Sequence, residues 1–263
     1  MTGFFLARFK AAIKTAAIHL SLSALIATAV WLLVVRRWYP YPLDELAGGL
    51  TLLSLVIGVD VACGPLLTLL VYTPAKSRLA LWVDFSVIGA IQLAALAYGL
   101  YSVTEARPVV LAYEVDRFVA VPAAGVDRSH LPDAPASLQM LSWNGPVLIG
   151  ARTPKDAVDQ MDAMRGVAQG YEISARPDWW QTYDQSRLDI QKHMKPLTGL
   201  YAARASAQQT LLDAARQKSG LPMAALHYLP MTGQKREDYI ALLDAQANIV
   251  GYANVDGFEE NGK

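Results

Sequence analysis

One carboxylate, Asp60, stands in the middle of the apolar run VIGVDVACGPLLTLLVY, residues 56–72. Ionisable groups are costly in hydrocarbon, so those that persist either bond inside a helix bundle or face a partner or pathway. Gln92, in the next apolar run, has a side-chain amide that can donate to a carboxyl in either protonation state. Pro65 removes a helix hydrogen bond about one turn after Asp60, and Gly64-Pro65 predicts a bend there. Two chemistries fit: a protonated Asp60 that ties the helices together through Gln92, or an Asp60 that turns outward to receive a partner's polar or cationic group. His19 is a weaker polar candidate near the start of an earlier apolar run. Elsewhere, Glu114 and Asp116 alternate on one predicted strand beside Arg117, a spacing that suits either an acid/base pair or a solvated face with an ion pair. His19, His130, His193 and His227 have no ligand-like spacing. No GxSxG, HExxH, P-loop or Cys–His arrangement is present. Neither a metal nor a cofactor is expected.

Three runs are long enough to position Asp60 and Gln92 inside a bilayer, which needs roughly 20 apolar residues of helix. They cover Ala16 to Val35, Leu46 to Tyr72 and Phe85 to Val103, with Trp31, Trp38, Tyr39, Tyr41, Tyr72, Trp82 and Tyr101 near their ends, as an interfacial aromatic belt requires. The first run has a basic start, but it is too long for a signal peptide and ends in Arg36-Arg37, so it is read as a retained helix. The basic N-terminal segment and the loop TPAKSR are expected on the cytoplasmic side, and RRWYPYPLDELAGG on the other. The third span then delivers the remaining chain to the periplasm of a bacterial inner membrane. In this topology Asp60 lies roughly 15 Å deep and Gln92 roughly 12 Å from the opposite surface, at 1.5 Å per helical residue. Gly58 with Ala62, and Ala95 with Gly99, form small-residue pairs that allow close helix approach.

Composition divides the chain in the same place. Over all 263 residues 53% are hydrophobic and 17% charged, against about 25% charged in ordinary soluble domains. Residues 1–103 carry seven basic and four acidic residues, a net of +3; residues 104–263 carry sixteen and nineteen, a net of −3. The expected organisation is a three-span domain over 1–103 and an α+β periplasmic domain over 104–263. Neither half is basic enough for nucleic acid. Cys63 is the single cysteine, so the outer domain is held by its core alone.

Within that domain, residues 107–121 read as a strand. LQMLSW and GPVLIGAR read as strands around an Asn144-Gly145 hairpin. Thr153-Pro154 predicts the start of a helix running to about Gln169. A second helix is predicted from about Ala205 to Lys218, stopping at Gly220, and MAALHYLPMTG and DYIALLDAQANIVGYANVD read as closing strands. The segment RPDWWQTYDQSR gathers Trp179, Trp180 and Tyr183. Aromatics beside Arg mark either an interface or, at helical spacing, a packed core.

Several of these segments also carry a resemblance. Gly58-Val59-Asp60, Gly64-Pro65-Leu66-Leu67-Thr68-Leu69, Gln92, Ala97-Tyr98-Gly99, Ala106-Arg107-Pro108-Val109 and Glu114-Val115-Asp116-Arg117-Phe118 occur in the order found in the TfpX/TfpZ family of type IV pilin accessory proteins. The match is good from about Lys10 to Val121 and loose beyond. Tyr113 departs from it, standing where a Phe is expected. The resemblance implies an inner-membrane helper of a type IV pilin with no enzymatic activity and no catalytic residue set. Its implied partners are the major pilin, membrane lipid and other pilus assembly proteins. The intramembrane contact would involve Asp60, Gly64, Pro65, Gln92, Tyr98 and Gly99, and the periplasmic contact Trp179, Trp180, Tyr183 and Arg117. The other functions considered are an enzyme acting on pilin or a lipid-linked substrate, and a structural anchor of an envelope complex.

Overall fold

Long apolar segments satisfy their backbone groups within themselves, so each becomes one continuous helix. The computed structural model describes residues 2–73 and 75–258. Pro74 of the TPAKSR loop and residues 259–263 of the expected outer domain lie outside the described residues. Helix α1 runs Thr2–Trp38, α2 is a single turn at Leu43–Leu46, α3 runs Gly49–Val71 and α4 runs Arg78–Ala106. Three of these, Phe9–Trp38 within α1, α3 and α4, are long and apolar enough to cross a membrane. Pro65 is accommodated inside α3.

The chain forms two compact units. The first contains α1 up to Arg36 together with Gly49–Glu105, and the second contains Arg37–Gly48 and the chain from Ala106 onward. The short connection after the first span therefore belongs to the C-terminal fold. Its Leu43 and Leu46 enter the core of that fold, and the Leu46 carbonyl accepts from the Lys235 N–H at 3.0 Å. Glu45 pairs with Arg236 at 2.7 Å.

The second unit is an α+β domain on a mixed eight-stranded sheet. Strands β1 (Pro108–Glu114), β2 (Arg117–Pro122), β3 (Val147–Ala151), β4 (Trp180–Thr182), β5 (Lys195–Pro196), β6 (His227–Thr232), β7 (Tyr239–Leu243) and β8 (Ile249–Ala253) lie in the order β4-β3-β1-β2-β6-β7-β8, with β5 also on β6. The β1–β3 and β2–β6 pairs are parallel and the others antiparallel. A parallel pair needs a long crossover. The chain from 123 to 226 supplies it for β2–β6, with α5 (Ala157–Ala168), α6 (Tyr183–His193), α7 (Leu197–Ala203) and α8 (Ser206–Ser219). Both faces of the sheet are covered, so β1 reads as an unbroken apolar run. Leu111 and Tyr113 join Phe118, Met231, Tyr183 and Ile190 in one cluster, while Val110 and Ala112 join Ile149 and Trp180 in another. A third cluster packs Leu212 and Ala215 of α8 against Ile240 and Leu242.

The predicted second helix and the closing strands match α8, β6, β7 and β8, and Gly220 ends α8 in the left-handed conformation, φ +71°. Three local predictions differ from the structure. Residues 107–121 form two strands, because a γ-turn in which the Asp116 N–H bonds the Glu114 carbonyl (2.7 Å) folds the chain back. Val115 holds φ +58° there, an uncommon state for a β-branched residue. It is held by the Tyr113 hydroxyl, which donates to the Val115 carbonyl at 2.6 Å; a Phe at 113 could not do this. Asn144-Gly145 is not a hairpin turn, since residues 139–146 contain no strand. Gly145, φ +95°, allows close approach to the Arg37 carbonyl. The helix predicted from Thr153-Pro154 starts at Ala157 instead, because the Asp156 carboxylate caps it by accepting from the Asp159 N–H at 2.9 Å.

Candidate functional site

The first unit contains a short polar seam built on glycine contacts. A side chain at Gly64 would collide with the Gln92 carboxamide, and one at Gly99 would collide with Val56. These two glycines therefore let α3 and α4 lie against each other at two points, antiparallel: Val56 beside Gly99 and Gly64 beside Gln92. The second small residue of the Ala95–Gly99 pair is the one in use. Gly58, of the other pair, has nothing near its missing Cβ.

Gln92 does meet Asp60, though not through the carboxyl. Its Nε2 donates to the Asp60 backbone carbonyl at 3.1 Å. Gln92 thus reaches the backbone one residue before Val61, whose carbonyl has no N–H from Pro65 to accept. The side chain of Asp60 is left over: its Oδ1 is buried and has no hydrogen-bond partner among the described residues. A second polar link, absent from the expected site, joins α1 to α3, with His19 Nδ1 2.6 Å from the Thr68 hydroxyl. Thr68 is buried. The signal for this pair was a histidine near the start of one apolar run and a threonine near the end of the next, ends that antiparallel helices bring together. Tyr98 points away from the bundle and is 75% exposed.

In the second unit the aromatic candidates take the core reading. Trp179, Trp180 and Tyr183 are all buried. Trp179 and Tyr183 do not share one helix: Trp179 ends a short 3-10 turn, Trp180 opens β4 and Tyr183 opens α6. The arginines that suggested an interface serve this packing. Arg152 lies 3.9 Å from the Trp179 ring centroid, and Arg176 lies 5.6 Å from it. The Trp180 indole donates to the Ser174 carbonyl at 2.8 Å, and the Tyr183 hydroxyl donates to the Ala247 carbonyl. None of these three side chains is presented at the surface.

Arg117 remains at the surface beside the hairpin tip, paired with Asp116 at 2.9 Å and lying over the Phe258 ring at 4.8 Å. It borders a cleft of about 370 Å³ that is also lined by Glu172, Ser174, Gln234 and Glu237. The carboxylates of Glu114 and Asp116 do not act as a pair, because Asp116 is a turn residue bonded to Arg117 while Glu114 accepts from the Ser174 N–H at 3.1 Å. Burial raises the Glu114 pKa above the ordinary carboxylate range, against the lowering effect of the Ser174 bonds. The folded state therefore holds the Glu114 proton more tightly than the unfolded chain. This contribution to stability is complete below the ordinary glutamate pKa and is lost as pH rises through the raised folded value. Glu114→Gln should flatten that decline, as read from melting temperature against pH between weakly acidic and neutral conditions. An unchanged slope would mean that Glu114 is solvated.

The chain is similar to curated fimbrial assembly proteins of Dichelobacter nodosus. Those of serogroup E1 and serogroup I are each 32% identical over 252 residues, covering 96% of this chain and 98% of the relative. That of serogroups C1 and C2 is 38% identical over 127 residues, 48% of this chain and 97% of the relative. The family model described as fimbrial assembly protein FimB matches residues 7–48, which span most of α1 and the connection through α2. No solved structure matches the chain. These relatives support a fimbrial assembly family and do not carry the TfpX/TfpZ name. With nearly the whole of both chains aligned at 32% identity, this protein belongs to the family of fimbrial assembly proteins.

Proposed function

We propose that the protein is an inner-membrane accessory factor that engages a type IV pilin subunit, through its membrane helices and its outer domain, and so supports pilus assembly or dynamics. The names of its relatives support the assembly role. The observation that carries the engagement is the buried, unbonded Asp60 Oδ1. In hydrocarbon an unsatisfied acceptor of this kind costs free energy until a donor arrives, and the half-buried Asp60 side chain could rotate to meet a polar or cationic group on a passing pilin helix. Gly64, Pro65 and Gln92 set the local shape of α3 around it. On α4 the exposed Tyr98 is the side chain offered to a passing helix, while Gly99 acts from behind by seating α4 against Val56. The N-terminus is read as cytoplasmic and the second unit as periplasmic. There the exposed hairpin tip, Val115 to Arg117, is the part of the expected contact that remains available to a pilin head.

The role is read as non-enzymatic, and an unchanged mass of mature pilin in a deletion strain would agree with it. The direct test is photo-crosslinking in cells from positions 60, 92 and 98, with Leu25 of α1 as a lipid-facing control. A pilin adduct from 60 or 98 and none from 25 is expected. Absence of adduct at all three, or equal yield at Leu25, would overturn the proposal.

A further inference from the structure

The second unit carries a loop whose apolar side chains point outward beside the residues at which the chain leaves the spans. Trp38 is the last residue of α1, and Arg107 directly follows α4. Membrane-spanning helices put both at the bilayer surface by chain continuity alone. Loop 139–145, QMLSWNG, is fastened to both. The Trp38 indole donates to the Trp143 carbonyl at 3.0 Å, and their rings are 5.9 Å apart. Arg107, only 4% exposed, lies 4.2 Å from the Trp143 ring centroid and 5.7 Å from that of Trp38. Arg37 donates to the Asn144 carboxamide oxygen at 3.1 Å.

Leu138 and Leu141 turn inward, into the cluster that includes Val110 and Ile149. Met140 between them is 87% exposed and Trp143 is 59% exposed. Single exposed apolar side chains are ordinary; Met140 and Trp143 differ in sitting on a loop fastened to the residues that end α1 and follow α4. Indole rings favour the headgroup level, where the ring is screened from water and the N–H remains satisfied. Here the Trp38 N–H already has its acceptor. The geometry points to a lipid-binding function for this loop: Met140 and Trp143 enter the leaflet on the domain's own side of the membrane, as a fourth, non-spanning anchor. The occupant is the phospholipid interface. Such an anchor needs only that α1 and α4 span, and is independent of any contact with pilin.

The test uses the unaltered chain in phospholipid vesicles, where lipid is the only other apolar surface. Hydroxyl radicals generated in the water phase oxidise methionine according to its access to water. Met161 and Met164 of α5, 67% and 72% exposed, serve as internal references. Met140 should oxidise about fivefold more slowly than either, despite its greater geometric exposure. Oxidation at the reference rate would overturn the anchor. A second readout is a nitroxide at Met140→Cys in a Cys63→Ala background. It should be more accessible to oxygen than to a nickel chelate, with the opposite order at Leu188→Cys. The same order at both positions would equally overturn the proposal.

Discussion

Asp60→Leu should reduce surface piliation to that of a deletion strain while leaving a better-anchored protein in the membrane. The two halves of this result have separate origins. At the centre of a spanning helix an aspartate costs about 2.5–3.5 kcal/mol and a leucine gains a few tenths, so the exchange stabilises the inserted helix by roughly 3 kcal/mol. The bundle loses nothing in return, because the bond that ties α4 to α3 runs from Gln92 to the Asp60 backbone carbonyl and survives any side chain at 60. If Asp60 were a structural tie, its removal would loosen the bundle. Resistance to denaturing detergent would then fall together with piliation. Higher resistance with lost piliation separates function from fold; full piliation would sink the proposed role.

Trp179→Ala should have the largest effect on stability. The indole is fully buried, with Arg152 stacked on it at 3.9 Å. Truncating a buried Trp costs about 3–5 kcal/mol, and removing the cation–π contact adds about 1 kcal/mol. For a domain of this size the melting temperature should fall by about 10 °C or more, as measured by near-ultraviolet circular dichroism of the detergent-solubilised chain. Leu188→Ala, at an exposed site on α6, should change it by about 0.5 kcal/mol or less. If Trp179→Ala melted like the wild type, the indole would be a surface contact after all.

The reach of sequence reading followed the range of the interactions involved. The spans, α8 with its Gly220 stop, and the β7–β8 hairpin were legible because their signals are local: apolar length, a left-handed glycine, and a short polar turn between alternating runs. Asn144-Gly145 carried an equally good local signal and misled, because Gly145 answers to Arg37, more than a hundred residues earlier. Thr153-Pro154 marked the helix start too early, because Asp156 caps it through its bond to the Asp159 N–H. The parallel pairs β1–β3 and β2–β6 join distant segments and leave no periodic trace. At the site, apolar spacing identified Asp60 and Gln92 as neighbours but did not say which Asp60 oxygen Gln92 would choose. Gly64 decided that by admitting the carboxamide against the backbone. The aromatic cluster at 179–183 was open to two readings on composition alone, and burial decided for the core.

The placement of residues 37–48 inside the C-terminal fold governs the order in which the protein can be made. Leu43, Leu46 and Glu45 are synthesised some sixty residues before β1, yet they complete the hydrophobic layer against Tyr239 and the tie to Arg236. During biosynthesis that dodecapeptide must wait until two further long helices and the sheet have been made before it can pack. A soluble fragment cut at residue 106 for crystallisation would lack this layer, and should crystallise only with the dodecapeptide grafted on or supplied as a separate peptide.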